Sequence, residues 1–135
     1  MNKLLADLNV LNAKLHNFHY NVVGINFMSV HEMLEKEYDY GFELIDEVAE
    51  QIKIQGKYPV SSLKEYLELS TIKEVESKDY TSEEILVHLI NDYEIILESA
   101  KKILSETSVI STENLMNDIV DEISKKLWFF NAMSK

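Results

Sequence analysis

The sequence predicts an all-α fold, a four-helix bundle with a short extra helix in the long crossover between helices 2 and 3. Only three glycines and one proline occur in 135 residues, and so few helix breakers are typical of long helices joined by few loops. Four segments repeat apolar residues at steps of three and four, the pattern of helices that bury one face in a bundle. We expect residues 1–135 to form one domain.

The first two helices are predicted from their apolar stripes and their stop signals. The first stripe ends near Gly24 and consists of Leu4, Leu8, Leu11, Leu15, Phe18 and Val22. The second helix is expected to begin at a capping box of Ser29 and Glu32. It is expected to stop at Gly56, after which Pro59 prevents the helix from resuming.

The second half of the chain contains the other two long helices. The short extra helix is predicted over residues 61–68, and a loop is predicted over the polar residues 71–80. Thr81 and Glu84 form a second capping box at the start of the third helix. A break over residues 105–112 separates the third helix from the fourth.

The formal charge of −11 and the absence of cysteine limit the function classes. An acidic chain without a basic patch is expected to repel nucleic acid and to attract cations. Disulfides and thiolate metal sites are excluded because there is no cysteine. The N-terminus lacks a signal-peptide pattern, and no segment approaches the roughly 18 apolar residues of a membrane span. We therefore expect a cytoplasmic protein without a membrane partner.

Four potential metal ligands lie on one side of the second predicted helix. At roughly 100° per residue, His31, Glu35, Asp46 and Glu50 fall within one arc of about 100°. His31 and Glu35 are four residues apart, as are Asp46 and Glu50, so each pair can offer ligands from adjacent turns. Imidazole and carboxylate donors without sulfur suit iron, zinc or manganese.

The two pairs cannot serve the same metal ion, because about 22 Å of helix separates their midpoints. A two-fold dimer would complete both half-sites if the second helices of two subunits ran antiparallel, so that the His31 end of one met the Asp46 end of the other. His19 on the first helix would add an imidazole to the His31 half. Carboxylates at this spacing more commonly form a solvated helix face, so the spacing alone leaves that reading open.

Several segments closely resemble the signature of the Dps family (DNA-binding proteins from starved cells), the mini-ferritins of the ferritin-like superfamily. The resemblance covers nearly the whole chain and is most specific in the first third, where two histidines twelve residues apart flank a Gly-x-Asn-Phe turn. The matching residues are the run 15–22 (Leu-His-Asn-Phe-His-Tyr-Asn-Val), Gly24, Asn26-Phe27, His31-Glu32, the run 63–68 and the Trp128 segment.

The resemblance implies a ferroxidase centre between two-fold related subunits. His19, His31 and Glu35 of one subunit would join Asp46 and Glu50 of its partner to bind Fe(II). The oxidant would be hydrogen peroxide, although oxygen stays possible. Twelve subunits would form a hollow shell that stores Fe(III) and protects against oxidative damage.

Further roles follow from the resemblance or from position. Trp128 resembles a tryptophan near the family's centre that can intercept a radical, and a core aromatic is the alternative. Tyr20 stands where the family commonly has another tryptophan. Tyr38, one turn beyond Glu35, is a candidate hydrogen-bond donor near the centre, although its place in the apolar stripe favours core packing. His16 is interpreted as structural, as is His88.

Two departures from the family pattern bear on function. Glu35 stands where an aspartate is usual, which keeps the type of ligand. Family members often line an iron entry pore with acidic residues between the third and fourth helices, where this chain has Ser105, Ile110 and Asn114. The route by which iron enters is therefore open.

The residues bear on one alternative site architecture and two alternative functions. The Glu-x-x-His motif of ferritin sites inside one bundle is absent. DNA compaction is disfavoured by the acidic charge and by the lack of a basic tail, since Lys3 is the only cation near the start of the chain. A non-enzymatic structural or interaction bundle with an altered metal site stays as an alternative.

Overall fold

A computed structural model describes all residues from 1 to 135 and contains five helices. The four long helices are α1 (Asn2–Asn21), α2 (Phe27–Ile54), α4 (Ser82–Glu106) and α5 (Ile110–Met133). A short helix, α3 (Leu63–Leu69), lies in the crossover between α2 and α4. The predicted four-helix bundle with an extra crossover helix is confirmed.

Two short strands fix the direction of the crossover. Strand β1 (Val22–Val23) follows α1, and strand β2 (Tyr80–Thr81) precedes α4. They pair in parallel with Val22 opposite Tyr80, so the start of α4 lies beside the end of α1. The chain therefore descends along α2 and returns through the crossover to the same end of the bundle. The predicted loop over residues 71–80 ends in this small sheet.

Of the two predicted capping boxes, the one at α4 is present and the one at α2 is not. Thr81 and Glu84 form the box at α4, with each side chain bonded to the other residue's backbone N–H. The box predicted for Ser29 and Glu32 is wrong, because α2 begins earlier, with Asn26 as its N-cap and no side-chain cap. The chain reverses at Gly24, whose φ of 111° favours glycine, so the helix can start within a few residues.

The core is apolar but is crossed by one buried and one largely buried ion pair. All six residues of the predicted α1 stripe are buried. Lys14 on α1 reaches Asp92 on α4, with Nζ and Oδ2 2.7 Å apart. Lys126 on α5 lies 3.0 Å from Glu37 on α2, and the Tyr93 hydroxyl donates to the same carboxylate at 2.8 Å. These pairs link helices that are distant in sequence.

Asp7 on α1 anchors the crossover. Its fully buried carboxylate accepts hydrogen bonds from the backbone N–H groups of Thr71, at 2.6 Å, and Ile72, at 3.0 Å. The hydroxyls of Ser70 and Thr71 and the Lys3 ammonium complete its shell. Burial alone would raise the pKa of Asp7, but these hydrogen bonds outweigh it and lower the pKa below 3.8.

No helix is long and apolar enough to span a bilayer.

Candidate metal centre

His19 near the end of α1 and His31 in the first turns of α2 form a reciprocal pair. The Nδ1 atom of His19 lies 2.7 Å from the backbone oxygen of His31, and Nδ1 of His31 lies 2.7 Å from the backbone oxygen of His19. The two rings stack with their centroids 3.7 Å apart and an interplanar angle of 13°. The sharp turn after β1 brings the helices together, so each backbone orients the other ring.

The hydrogen bonds determine the chemistry of both imidazoles. A carbonyl oxygen can only accept, so each Nδ1 must carry the proton and donate it. Each Nε2 then holds a lone pair when the ring is neutral. Metal-binding histidines commonly use this arrangement, in which one ring nitrogen donates to a fixed oxygen and the other binds the metal. The pair therefore offers two oriented nitrogen donors from one subunit.

Glu35 lies one turn after His31, and its carboxylate is exposed. The Tyr38 hydroxyl lies 3.5 Å from Oε1 of Glu35, longer than an ordinary O–H···O hydrogen bond. Desolvation, with the neighbouring carboxylates of Glu35 and Asp39, raises the pKa of Tyr38. A tyrosine hydroxyl is protonated at neutral pH even at its ordinary pKa of about 10, so it can donate. Glu35 thus places a carboxylate one helical turn after His31, at the same end of α2.

Asp46 and Glu50 lie farther along α2, exposed and without a hydrogen bond or ion pair to another side chain of the subunit. The structure therefore brings His19, His31 and Glu35 to one end of α2 and leaves Asp46 and Glu50 near the other. No group of three or more histidine or acidic side chains in the single chain is arranged to hold a metal ion.

Of the remaining candidate residues, two are exposed and one packs against the core. Trp128 is 66% exposed and rests against Phe129, so it is not a core residue of the subunit. Tyr20 is 69% exposed and its ring meets that of His19 edge-on, with centroids 5.7 Å apart. His88 lies against the core residue Phe18, consistent with its structural interpretation.

The sequence predicts only a structural role for His16, yet its ring stacks on that of Tyr38 with centroids 3.9 Å apart. A signal for this neighbourhood was present in the sequence, because His16 precedes His19 by three residues and so shares a helix face with it. The partner, Tyr38, lies on another helix, and the sequence pattern could not select it.

A family model described as the ferritin-like domain matches residues 1–135. The chain is 38% identical over 135 residues to DNA protection during starvation protein 2 of Bacillus anthracis, covering 98% of this chain and 92% of that protein. The chain belongs to the Dps family of ferritin-like proteins. Antigen TpF1 of Treponema pallidum is a further relative, 34% identical over 134 residues, with 97% of this chain and 76% of that protein covered.

Solved structures of the family share the fold closely. Antigen TpF1 from Treponema pallidum superposes with a TM-score of 0.95 at 33% identity, covering 99% of this chain and 88% of that chain. The Dps protein of Vibrio cholerae O1 gives a TM-score of 0.94 at 30% identity, with 99% and 86% covered. That protein is described as a member of a broad superfamily of ferritin-like diiron-carboxylate proteins. Membership in this family supports an iron-related function for the chain.

Proposed function

We propose that this Dps protein is a ferroxidase that oxidises Fe(II) at sites between subunits and stores the Fe(III) product. The observation that carries the proposal is the reciprocal His19–His31 pair, in which both Nδ1 atoms are engaged with backbone oxygens at 2.7 Å and both Nε2 atoms are left to bind metal. With Glu35 the set contains nitrogen and oxygen donors only, which suits Fe(II) and also admits zinc or manganese.

The second half of the proposed site comes from a two-fold related subunit. Asp46 and Glu50 are exposed and have no competing partners in their own chain. They follow His31 and Glu35 on the same helix, so an antiparallel pair of α2 helices would bring each acidic pair to the other subunit's histidines. The proposed ligands are His19, His31 and Glu35 of one subunit with Asp46 and Glu50 of its partner.

The proposed reaction takes electrons from iron and passes them to hydrogen peroxide, or to oxygen as the alternative oxidant. Two Fe(II) ions each lose one electron, and one peroxide molecule takes both electrons and two protons to become two water molecules. The histidines and carboxylates would hold the iron substrate so that both electrons leave together, and a one-electron reduction of peroxide to a hydroxyl radical is avoided. From the family resemblance we expect Trp128 and Tyr20 to lie near this centre.

Storage requires an enclosed assembly, and we propose a homo-oligomer of twelve subunits built from two-fold dimers. The family membership and the exposed apolar side chains of the single chain support this, since large exposed apolar groups mark interaction surfaces. Examples are Ile25 at 99% exposure and Leu63 at 79%. A solution mass corresponding to twelve subunits would agree with the proposal, and a monomer would contradict it. A cytoplasmic location stays a prediction.

The direct test loads anaerobic protein with Fe(II), adds hydrogen peroxide and follows Fe(III) absorbance. The Asp46→Ala/Glu50→Ala double variant is compared with the parent, and both are first shown to have the same assembled mass. We expect rapid oxidation in the parent and loss of at least about 100-fold in the variant. Equal rates would favour a non-enzymatic interaction protein or a site elsewhere.

A mixing experiment tests whether the site lies between subunits. The His31→Ala variant and the Asp46→Ala/Glu50→Ala variant are each expected to be inactive. In a dimer of one with the other, one of its two sites regains every ligand. Refolding an equal mixture should therefore restore about a quarter of the parent activity, because about half of random dimers are mixed. A mixture that stays inactive would contradict sites shared between subunits.

DNA protection is named in several relatives, and we propose that direct DNA binding contributes little here. The net charge is −11, and Glu43, Glu47, Asp118 and Asp121 line one open groove between α2 and α5. Phosphate is repelled by such a surface. A gel-shift assay at physiological salt should show no retarded DNA, and a shift that persists there would refute this prediction.

A further inference from the structure

The ring of Tyr38 is held between two histidines of α1. His16 stacks on one side, with ring centroids 3.9 Å apart and an interplanar angle of 17°. His19 meets the Tyr38 ring edge-on, with centroids 5.2 Å apart and an interplanar angle of 90°. Stacked and edge-to-face contacts of this kind favour one ring orientation. The position of the Tyr38 hydroxyl therefore depends on α1 as well as on its own helix.

His16 itself is fixed by a hydrogen bond within α1. Its Nδ1 lies 2.7 Å from the backbone oxygen of Asn12, and because a carbonyl only accepts, Nδ1 carries the proton. The side chain of Asn12 donates from Nδ2 to the backbone oxygen of Tyr38 at 3.2 Å. One turn of α1 thus holds both the ring and the backbone of Tyr38. This turn is separate from the residues proposed to bind iron.

The hydroxyl of Tyr38 is directed at Glu35, with 3.5 Å between the phenol oxygen and Oε1. Hydrogen bonds around a reactive centre are often long before substrate binds and shorten in the complex. Glu35 is exposed, so nothing else in the subunit restricts its carboxylate. Fixing a glutamate side chain costs more conformational entropy than fixing most residues. A hydrogen-bond donor that already restrains Glu35 lowers the entropy that is lost when the carboxylate binds metal.

We propose that His16 is a positioning residue for the iron centre, because it orients Tyr38 so that the tyrosine hydroxyl holds the Glu35 carboxylate ready to bind metal. This inference rests on the proposed function, since it gives Glu35 the role of an iron ligand. His16 does not touch the metal in this scheme. Its effect should appear in how tightly metal binds rather than in how fast bound iron is oxidised.

The test compares His16→Ala, His16→Phe, Tyr38→Phe and the double variant His16→Ala/Tyr38→Phe in the full assembled protein. Anaerobic Co(II) binding, followed by its visible absorption, measures site affinity without any oxidation. Peroxide-driven Fe(II) oxidation then gives KM and kcat separately. Removing a group that supports a metal ligand typically weakens binding 10- to 100-fold, and we expect about tenfold weaker Co(II) binding and a higher KM, with a nearly unchanged kcat, for His16→Ala and Tyr38→Phe.

Two comparisons separate positioning from a structural role. Phenylalanine at position 16 preserves the stacked ring, so His16→Phe should recover most of the affinity lost in His16→Ala. The double variant should bind no more weakly than Tyr38→Phe alone, because His16 acts through the hydroxyl. His88→Ala serves as the matched control, since His88 is also a partly buried histidine in the bundle but packs on Phe18. It should lower stability without weakening Co(II) binding.

The outcomes distinguish failure of the positioning role of His16 from failure of the proposed ferroxidase function. If His16→Ala lowers the unfolding temperature but binds Co(II) and Fe(II) like the parent, or if the losses of the two single variants multiply in the double variant, the positioning role is overturned. If the parent oxidises iron and only this comparison fails, the proposed function stands without the inference. If the parent binds neither metal at these residues, both fail.

Discussion

Both ends of α2 carry proposed metal ligands, but the structure holds them differently. At the N-terminal end, His31 is bonded to the backbone of α1 and stacked on His19, which is only 8% exposed. At the C-terminal end, Asp46 and Glu50 are exposed and unpaired in the single chain. The two histidines are therefore preorganised within the subunit, whereas the acidic pair is positioned only by the backbone of the helix.

This difference separates stability from function along a single helix. Changing His19 or His31 removes a proposed ligand and also breaks contacts that join α1 to α2. Changing the acidic pair removes proposed ligands but no contact within the subunit. Surface substitutions without such contacts usually change stability by less than about 0.5 kcal/mol. The two ends should consequently respond differently when activity and stability are measured together.

The largest expected effects come from comparing His19→Ala with Asp46→Ala/Glu50→Ala. Both should lower the rate of peroxide-driven iron oxidation at least about 100-fold. Only His19→Ala should also lower the free energy of unfolding, by about 1–3 kcal/mol, because a buried hydrogen bond and a packed ring are lost. Urea unfolding of both variants beside the parent measures this. Equal stability losses would show that the acidic end is also part of the subunit's own packing.

Asp7 sharpens the comparison, because it is a buried, fully bonded carboxylate far from the proposed site. Asp7→Asn keeps the shape of the side chain but removes its charge and leaves crossover donors poorly paired. We expect a loss of about 3 kcal/mol in the free energy of unfolding at pH 7, with the oxidation rate retained in the protein that remains folded. A loss of oxidation in properly assembled variant would instead connect the crossover to the site.

The stability that Asp7 supplies should depend on pH in a defined direction. Its pKa in the folded protein lies below the ordinary value of 3.8, so the folded state binds fewer protons than the unfolded state near that pH. The contribution is therefore complete above about pH 5 and is lost as the pH falls through 3.8 towards the folded pKa. Urea midpoints of parent and Asp7→Asn should converge below pH 3.8, and a constant difference would contradict the assignment.

Gly41 lies between the two ends of α2, and a change there should affect stability but no proposed ligand. A Cβ atom at this position would overlap Oδ1 of Asn12, so α1 approaches α2 closely here. Gly41→Ala should lower the free energy of unfolding by about 1–3 kcal/mol, although alanine favours helix. Asn12→Ala introduced with it removes the overlap and should recover part of the loss. Thermal unfolding of the single and double variants measures this, and a stabilised Gly41→Ala would show that the Asn12 side chain moves aside without cost.

Much of the fold was predictable because helix formation depends on local patterns. The α1 stripe, the Thr81–Glu84 cap and the stop near Gly56, whose φ is 77°, were all readable from neighbouring residues. The N-cap of α2 was not, since Ser29 and Glu32 match a capping box in sequence while the turn at Gly24 moves the true start to Asn26. These helix boundaries, predicted from neighbouring residues, were correct except where the turn at Gly24 moved the start of the helix.

By itself the sequence determined which donor types exist, their spacing on α2 and the chemistry open to them, because residue identity and helical period do not depend on the rest of the molecule. Only the tertiary structure decided the tautomers of His19 and His31, the stacking of His16 on Tyr38 and the exposure of Trp128. These features arise where residues distant in sequence meet, and a hydrogen bond between two helices fixes a proton that no one-dimensional pattern specifies.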